Sequence, residues 1–108
     1  MLLTVNIDFE GGERPPAGVP VRIEARDISL ADAPAEVLGE TRGEVAAGNG
    51  SRLAVFELEL SRAALTSTVW AHVDSDRDGR VSRGDLITTE SFPIPPDGSA
   101  LTVRVRRV

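Results

Sequence analysis

The 108-residue chain is expected to be all-β, with a single antiparallel β-sandwich of about seven strands and a calcium-type loop connecting two of them. In several short segments apolar residues alternate with polar ones, as in strands that bury one face. Turn-forming residues separate these segments, and no segment predicts a helix longer than about one turn. Short strands spaced in this way are typical of sandwiches and barrels.

The first two strands show the alternation most clearly. Residues 2–10 (LLTVNIDFE) and residues 19–27 (VPVRIEARD) each place apolar side chains at every second position. The stretch GGERPPAGVP between them is rich in glycine and proline, which favours a turn. We therefore expect these two strands to pair as a hairpin.

Five further segments have the β-branched, aromatic or alternating character of strands. The stretch that precedes the first of them, DISLADAPAE, contains Pro34 and cap-forming residues, so it is interpreted as a bend. The connector SRAALTS and the loop PIPPDGS separate later segments. The five predicted strands are residues 37–41, 52–60, 68–73, 86–92 and 101–108.

Composition excludes several functional classes. The net charge is −5, and the arginines cluster only at Arg104, Arg106 and Arg107, where they alternate with valines, so a nucleic-acid surface is not expected. No apolar run approaches the roughly 20 residues that span a bilayer. There is no cysteine, which removes disulfides, thiolate catalysis and a lipidated N-terminal cysteine. With no signal peptide recognisable either, the default expectation is a cytoplasmic chain.

One acidic segment stands out. Residues 74–85, DSDRDGRVSRGD, match the twelve-residue calcium loop of EF-hand proteins, with Gly79 at the sixth position and Val81 at the eighth. In that loop alternate side chains turn inward with oxygen ligands, glycine takes the sharp bend, and the seventh position offers only its carbonyl. The expected Ca²⁺ ligands are Asp74, Asp76, Asp78, Arg80 through its carbonyl, Ser82 and Asp85.

The loop departs from the EF-hand pattern in two ways. Asp85 replaces the usual final glutamate, whose longer arm binds Ca²⁺ through two oxygens; the loop also resembles those of dockerins, which often end in aspartate. Strands, not helices, flank the loop, so the helix opening of calcium sensors has no counterpart. We therefore expect a structural ion that stiffens a strand connection.

A metal-free acidic connection is the alternative, with its charges balanced by Arg77, Arg80 and Arg83. Against it, four crowded carboxylates repel one another and raise their pKa values unless a cation is present. Mg²⁺ is favoured less than Ca²⁺ because it takes fewer carboxylates and keeps more of its waters.

Two other features carry little functional weight. Residues 83–85 spell the Arg-Gly-Asp adhesion tripeptide, but the motif is short and Asp85 is already assigned as a ligand. His72 is the single histidine, and alternation places it opposite Val69 and Val73, so we expect an ordinary surface or edge residue. With one histidine, no cysteine and no tyrosine, the chain is not expected to be an enzyme.

Two segments resemble one protein family. DISLADAPAEVLGE resembles the D-x-S-x-A-D-A-P-x-x-V-L segment of YbaY-like lipoproteins, which are related to the YscW-type secretion pilotins. HVDSDRDGRVSRGDLITTESFPI looks like the C-terminal half of family variants that carry an aspartate loop. The resemblance implies a small β-sandwich in the periplasm or at the outer membrane, and in the pilotin branch assistance to a secretin.

The leading functional hypothesis combines the loop with this resemblance. It is a non-enzymatic β-sandwich that binds one structural Ca²⁺ ion and acts as a protein-interaction or chaperone-like module of the cell envelope. A partner strand added at an exposed sheet edge is one way for such a domain to bind. The alternative hypothesis is a metal-free structural or accessory domain. Neither the partner nor the oligomeric state follows from the sequence.

Overall fold

The computed structural model of the chain describes residues 2–28, 36–61, 67–95 and 100–108. Across these ranges the chain forms strands and no helix, which confirms the all-β prediction. The bend predicted around Pro34, most of the SRAALTS connector and the end of the PIPPDGS loop lie outside them. The strands are β1 (Leu2–Glu10), β2 (Pro20–Asp27), β3 (Glu36–Glu44), β4 (Arg52–Glu59), β5 (Ser67–Val73), β6 (Leu86–Ile87) and β7 (Ala100–Arg107).

All seven strands belong to one mixed sheet in the order β3-β2-β5-β6-β7-β1-β4. Neighbours are antiparallel except β1 and β7, which run parallel, with Val5 opposite Leu101 and Ile7 opposite Val103. The expectation of an antiparallel sandwich is corrected accordingly. Alternation at a period of two specifies which face of a strand is buried, and it leaves open which strands pair and in which direction.

The predicted hairpin between the first two strands is wrong. β1 pairs with β4 and β7, whereas β2 pairs with β3 and β5. The glycine-rich and proline-rich segment 11–19 changes the chain direction, with Gly11, Gly12 and Gly18 at positive φ. Its turn residues predict this change of direction, but they carry no information on the pairing partner.

The two outer strands, β3 and β4, come together and nearly close the sheet into a barrel. The amide of Ser61 donates to the carbonyl of Leu38 at 2.9 Å, and the amide of Ala46 donates to the carbonyl of Leu53 at 2.7 Å. Between these contacts the backbones lie so close that a Cβ added to Gly39 would lie 2.2 Å from the Glu59 carbonyl oxygen. We refer to this line of contact between β3 and β4 as the seam.

The interior is filled by the apolar positions of the predicted alternation. Leu3, Val5 and Ile7 of β1 are fully buried, as are Val103 and Val105 of β7. The sequence therefore identified the buried face of these strands correctly. The rest of this buried cluster comprises Val19, Val21, Ile23, Ala25, Leu38, Val45, Leu53, Leu58, Leu60, Val69, Ala71, Val73, Leu86 and Phe92.

The sixth strand is much shorter than the predicted segment 86–92. The Thr88 amide still donates to the Ala71 carbonyl (3.1 Å), but the Ala71 amide donates to the Thr88 hydroxyl (3.3 Å) and not to its carbonyl, and the regular ladder ends at Ile87. The chain contacts β5 again at Phe92, whose carbonyl accepts from the Val69 amide, and at Pro93, which forms an isolated bridge with Thr68. Threonine hydroxyls compete with ladder bonds and proline has no N–H, so β-branched content alone overpredicted this strand.

Candidate metal centre

The acidic loop closes the hairpin between β5 and β6. Val73 lies opposite Leu86, so Asp74 and Asp85 are the first residues beyond the paired ends. The Asp74 amide donates to the Pro20 carbonyl at 2.9 Å, and the Val108 amide donates to the Asp85 carbonyl at 2.9 Å. Both ends of the loop are therefore tied to strands that lie beside the hairpin.

The loop brings its four aspartates together. One carboxylate oxygen from each of Asp74, Asp76, Asp78 and Asp85 lies within 4.8 Å of the others. Asp74 is 7% exposed and Asp85 is fully buried, whereas Asp76 and Asp78 are exposed. The cluster thus has a buried floor and an outer side that is open to solvent.

The backbone of the loop is shaped by hydrogen bonds to these carboxylates. The Gly79 amide donates to Asp74 Oδ2 at 2.8 Å, and the Arg80 amide donates to Asp78 Oδ1 at 2.9 Å. Gly79 has a φ of 77°, which glycine adopts without strain, and Arg77 has a φ of 59°, in the left-handed region that is uncommon for arginine. The sequence-based role of Gly79 as the residue at the sharp bend is therefore consistent with its conformation.

One buried oxygen in the cluster lacks a partner. Asp74 Oδ1 is inaccessible and accepts no hydrogen bond, although Oδ2 of the same carboxylate is bonded to Gly79. Buried carboxylate oxygens are normally satisfied, since leaving one without a donor or a cation costs free energy. Asp74 belongs to the group of four clustered aspartates, so either a cation or a proton on the carboxylate would remove this cost.

The electrostatics of the cluster differ between its buried and exposed members. Burial raises the pKa of Asp74, and a hydrogen bond from its protonated form to Asp76 and the charge of Asp85 raise it further. By contrast, the hydrogen bond from the Ser82 hydroxyl lowers the pKa of Asp76. A proton on Asp74 is thus a substitute for a cation at the floor of the cluster.

Asp85 is held by a residue that the sequence did not assign to the site. His72 Nε2 lies 2.8 Å from Asp85 Oδ2, and His72 is only 2% exposed. The expectation that His72 is a surface or edge residue is therefore wrong. Residues two apart on a strand share a face, so the spacing of His72 and Asp74 was a signal that the two belong together.

Asp85 also accepts backbone bonds from both ends of the loop. The Ser75 amide donates to Oδ1 at 2.9 Å, and the Ser82 amide donates to Oδ2 at 3.1 Å. These two bonds hold the backbone of the loop close to the Asp85 carboxylate.

Two of the six predicted ligands are not carboxylates. The Ser82 hydroxyl donates to Asp76 Oδ2 at 2.6 Å, which places it at the cluster. Arg80 is connected to the cluster by its amide, while ligation by its carbonyl stays a prediction. The loop arginines Arg77, Arg80 and Arg83 are exposed, and none forms an ion pair with a described carboxylate, so they do not neutralise the floor of the cluster.

Comparison with known proteins identifies a shared fold. No protein-family model matches the chain, and no curated protein matches it in sequence. Among solved structures, it is similar to an alternative pilotin from the type II secretion system of Vibrio cholerae, with a TM-score of 0.73 and 21% identity over 100% of this chain and 96% of that one. Among the described residues no helix is long and apolar enough to cross a membrane. The chain therefore has a pilotin-like fold.

Proposed function

We propose that the chain binds one Ca²⁺ ion in loop 74–85 and serves as a non-enzymatic protein-interaction module of the cell envelope. The observation that carries the calcium site is the buried, unpartnered Oδ1 of Asp74, a residue whose carboxylate is clustered with three further carboxylates. Four carboxylates clustered on one loop supply the hard oxygen ligands that Ca²⁺ prefers. Asp74, Asp76, Asp78 and Asp85 would bind through carboxylates, Arg80 through its carbonyl and Ser82 through its hydroxyl or a water.

The ion would act on stability and not as a conformational switch. The loop is tied to β2 through Pro20 and to the chain end through Val108, so it has rigid strands on both sides. A cation at its floor would remove the repulsion between Asp74 and Asp85 and fix the β5–β6 hairpin. Only the twelve-residue loop, without flanking helices, matches EF-hand proteins. The ion would therefore be structural and would not act as the switch of a complete EF-hand.

Thermal unfolding in calcium and in chelator tests the site. At a free Ca²⁺ concentration 100-fold above Kd, linkage predicts about 2.7 kcal/mol of stabilisation and a Tm several degrees higher. Asp76→Asn should lose this shift, because it removes one acidic ligand from the exposed side. Glu57→Gln, which removes an exposed carboxylate from β4, should keep it. An equal Tm in millimolar calcium and in chelator would overturn the calcium site.

Terbium luminescence gives a direct measurement at the loop. Trp70 is the only tryptophan, and its ring centroid lies 5.8 Å from that of His72, which contacts Asp85. Tb³⁺, a common substitute for Ca²⁺, should therefore emit when Trp70 is excited, and Ca²⁺ should displace it. Emission that Asp76→Asn does not reduce would place the metal elsewhere.

The interaction role rests on the pilotin-like fold, because the similar Vibrio cholerae protein belongs to a type II secretion system. By extension, this chain would contact a secretion component in the periplasm or at the outer membrane. The sheet ends at β3 and β4, which contact each other along the seam, so a partner strand that adds to either of them would have to open the seam. A partner can be captured from an envelope extract and the complex purified. Hydrogen exchange of that complex should show protection of β3 or β4 amides. Protection confined to other strands would exclude strand addition.

The metal-free alternative is supported by a different observation. Asp85 already has donors in His72, Ser75 and Ser82, so part of the cluster is satisfied by protein groups alone. In that case the loop would be a hydrogen-bonded strand connection. The calcium and chelator melts distinguish the two functions, because only the calcium site predicts a shift.

A further inference from the structure

The loop between β3 and β4 contains the pair Asn49-Gly50 in an exposed position. Residues 46–51 are all exposed, and a Cβ added to Gly50 would meet no atom within 4 Å beyond those of its chain neighbours. In a two-residue hairpin turn, both residues of an Asn-Gly pair adopt a positive φ. Neither Asn49 nor Gly50 does so, and the pair therefore does not form the tight turn in which it usually occurs.

The backbone of this loop is held through its carbonyl groups. Arg14 donates to the carbonyl of Ala46 at 2.6 Å and to those of Gly50 and Arg52 at 2.8 Å. The Gly50 amide, by contrast, donates to no group in the part of the chain that the structure describes. Its nitrogen can therefore react without first losing a hydrogen bond.

A second glycine in the chain follows a similar side chain but has an amide that is bonded. Asp78-Gly79 also places a short side-chain carbonyl before glycine, and the Gly79 amide donates to Asp74 Oδ2 at 2.8 Å. A hydrogen bond to a carboxylate contributes more than one to a neutral acceptor, and a nitrogen held in this way must lose that bond before it can attack. The two sites are alike in sequence and differ in the hydrogen bonding of one amide.

We infer that Asn49 is a site of spontaneous deamidation. The Gly50 nitrogen attacks the side-chain carbonyl carbon Cγ of Asn49, where a new C–N bond forms. The bond from Cγ to Nδ2 breaks, and ammonia leaves with the proton that the Gly50 amide gives up. Solvent water then opens the cyclic imide at either of its carbonyl carbons. The products are aspartate and isoaspartate, and each adds one negative charge to the −5 of the chain.

The reaction changes the chain at one end of the seam. The loop joins β3 to β4, and the Ala46 amide at its start donates to the Leu53 carbonyl. Isoaspartate routes the backbone through the side-chain methylene, which adds one atom to the chain between these two residues. The Ala46 amide should therefore exchange hydrogen faster in the isolated isoaspartate form than in the unmodified chain. Equal exchange rates would overturn this effect on the seam, whereas the modification site would stand.

Mass spectrometry of the aged, folded chain tests the site. Trypsin releases residues 43–52, which contain Asn49 and no other asparagine. After several days at mildly alkaline pH, this peptide should show the mass gain of an amide converted to an acid. Asn6, in a part of β1 that is paired on both sides, should stay unmodified. Gly50→Ala adds a methyl in open space and should slow the reaction several-fold, because the methyl crowds the attacking nitrogen. An Asn49 that reacts in urea but stays intact in the folded chain would overturn the inference.

The variant Asp78→Asn separates the effect of structure from that of sequence. It creates a second Asn-Gly pair, whose glycine amide is bonded to Asp74. In the folded, calcium-free chain this second pair should react about tenfold more slowly than Asn49, since a bond to a carboxylate contributes about this factor. In urea the two pairs should react at similar rates. Equal rates in the folded chain would show that the free Gly50 amide does not select the site.

Discussion

The Asp74 carboxylate is expected to lower the stability of the metal-free chain, although it is a proposed calcium ligand. Its buried carboxylate has one satisfied oxygen and one unpartnered oxygen, and burial raises its pKa. We predict that Asp74→Asn raises the Tm of the chain in chelator, since an amide accepts the Gly79 bond and donates to a neighbouring aspartate without adding charge. The variant should lose the calcium-dependent Tm shift. A lower Tm in chelator together with a normal calcium shift would show that Oδ1 is not a ligand.

The pH dependence of this effect follows from the direction of the shift. Since the pKa of Asp74 is raised above 3.8, its contribution to stability is fully present below pH 3.8 and is lost as the pH rises through the raised value. The pKa of Asp76 is lowered, so its contribution is present above pH 3.8 and is lost as the pH falls through the lowered value. The Tm advantage of Asp74→Asn in chelator should therefore be largest near neutral pH and shrink toward pH 3.8. An advantage that grows with acidification would contradict this.

His72 holds Asp85 in place and is not itself an assigned ligand. Its Nε2 lies 2.8 Å from Asp85 Oδ2 in a buried position. His72→Ala should raise the calcium Kd about tenfold, because the twelfth-position carboxylate loses the side chain that orients it. His72→Gln, which can still donate, should restore part of the affinity. Val69→Ala, a buried change on the same strand, should lower Tm but leave Kd unchanged; an equal effect of Val69→Ala on Kd would mean that His72 acts only through stability.

At the scale of strands, the close contact of β3 and β4 at the seam depends on Gly39, which has no side chain. A Cβ on Gly39 would meet the Glu59 carbonyl oxygen at 2.2 Å, so an added methyl forces β3 and β4 apart. Gly39→Ala should lower the free energy of unfolding by roughly 1–3 kcal/mol, as overpacking generally does. Gly50→Ala adds a methyl where no atom lies within 4 Å and should be nearly neutral. Urea unfolding compares the two, and equal stability would mean that the seam is loosely packed.

The strands themselves were predictable, but their neighbours in the sheet were not. β1, β2, β4, β5 and β7 begin and end within a residue of the expected bounds, because alternation and turn residues are local signals. β6 was overpredicted, since the departure of Thr88 from the ladder depends on a hydroxyl bond to Ala71. The pairing of β1 with β4 and β7 depends on contacts distant in sequence, which no local pattern encodes.

At the scale of the whole molecule, the parallel pair β1–β7 joins the two ends of the chain. β7 lies between β6 and β1 and buries Val103 fully. Val103→Ala should destabilise the fold by roughly 2 kcal/mol, as expected for a core truncation of this size. Thr102→Ala, at an exposed neighbouring position with only a 3.4 Å bond to Asn6, should change little. Similar urea midpoints for both variants would show that β7 is peripheral to the core.

For the candidate site, the sequence identified the loop, the cluster of four aspartates and the bend at Gly79, because the spacing of the aspartates and the glycine in residues 74–85 is a local property of the chain. Alternation also identified the buried faces of most strands. The tertiary structure added the His72–Asp85 contact and the row of Arg42, Arg22 and His72 across three strands. These relations depend on pairing register between distant segments, where a shift of one residue would move every side chain to the opposite face.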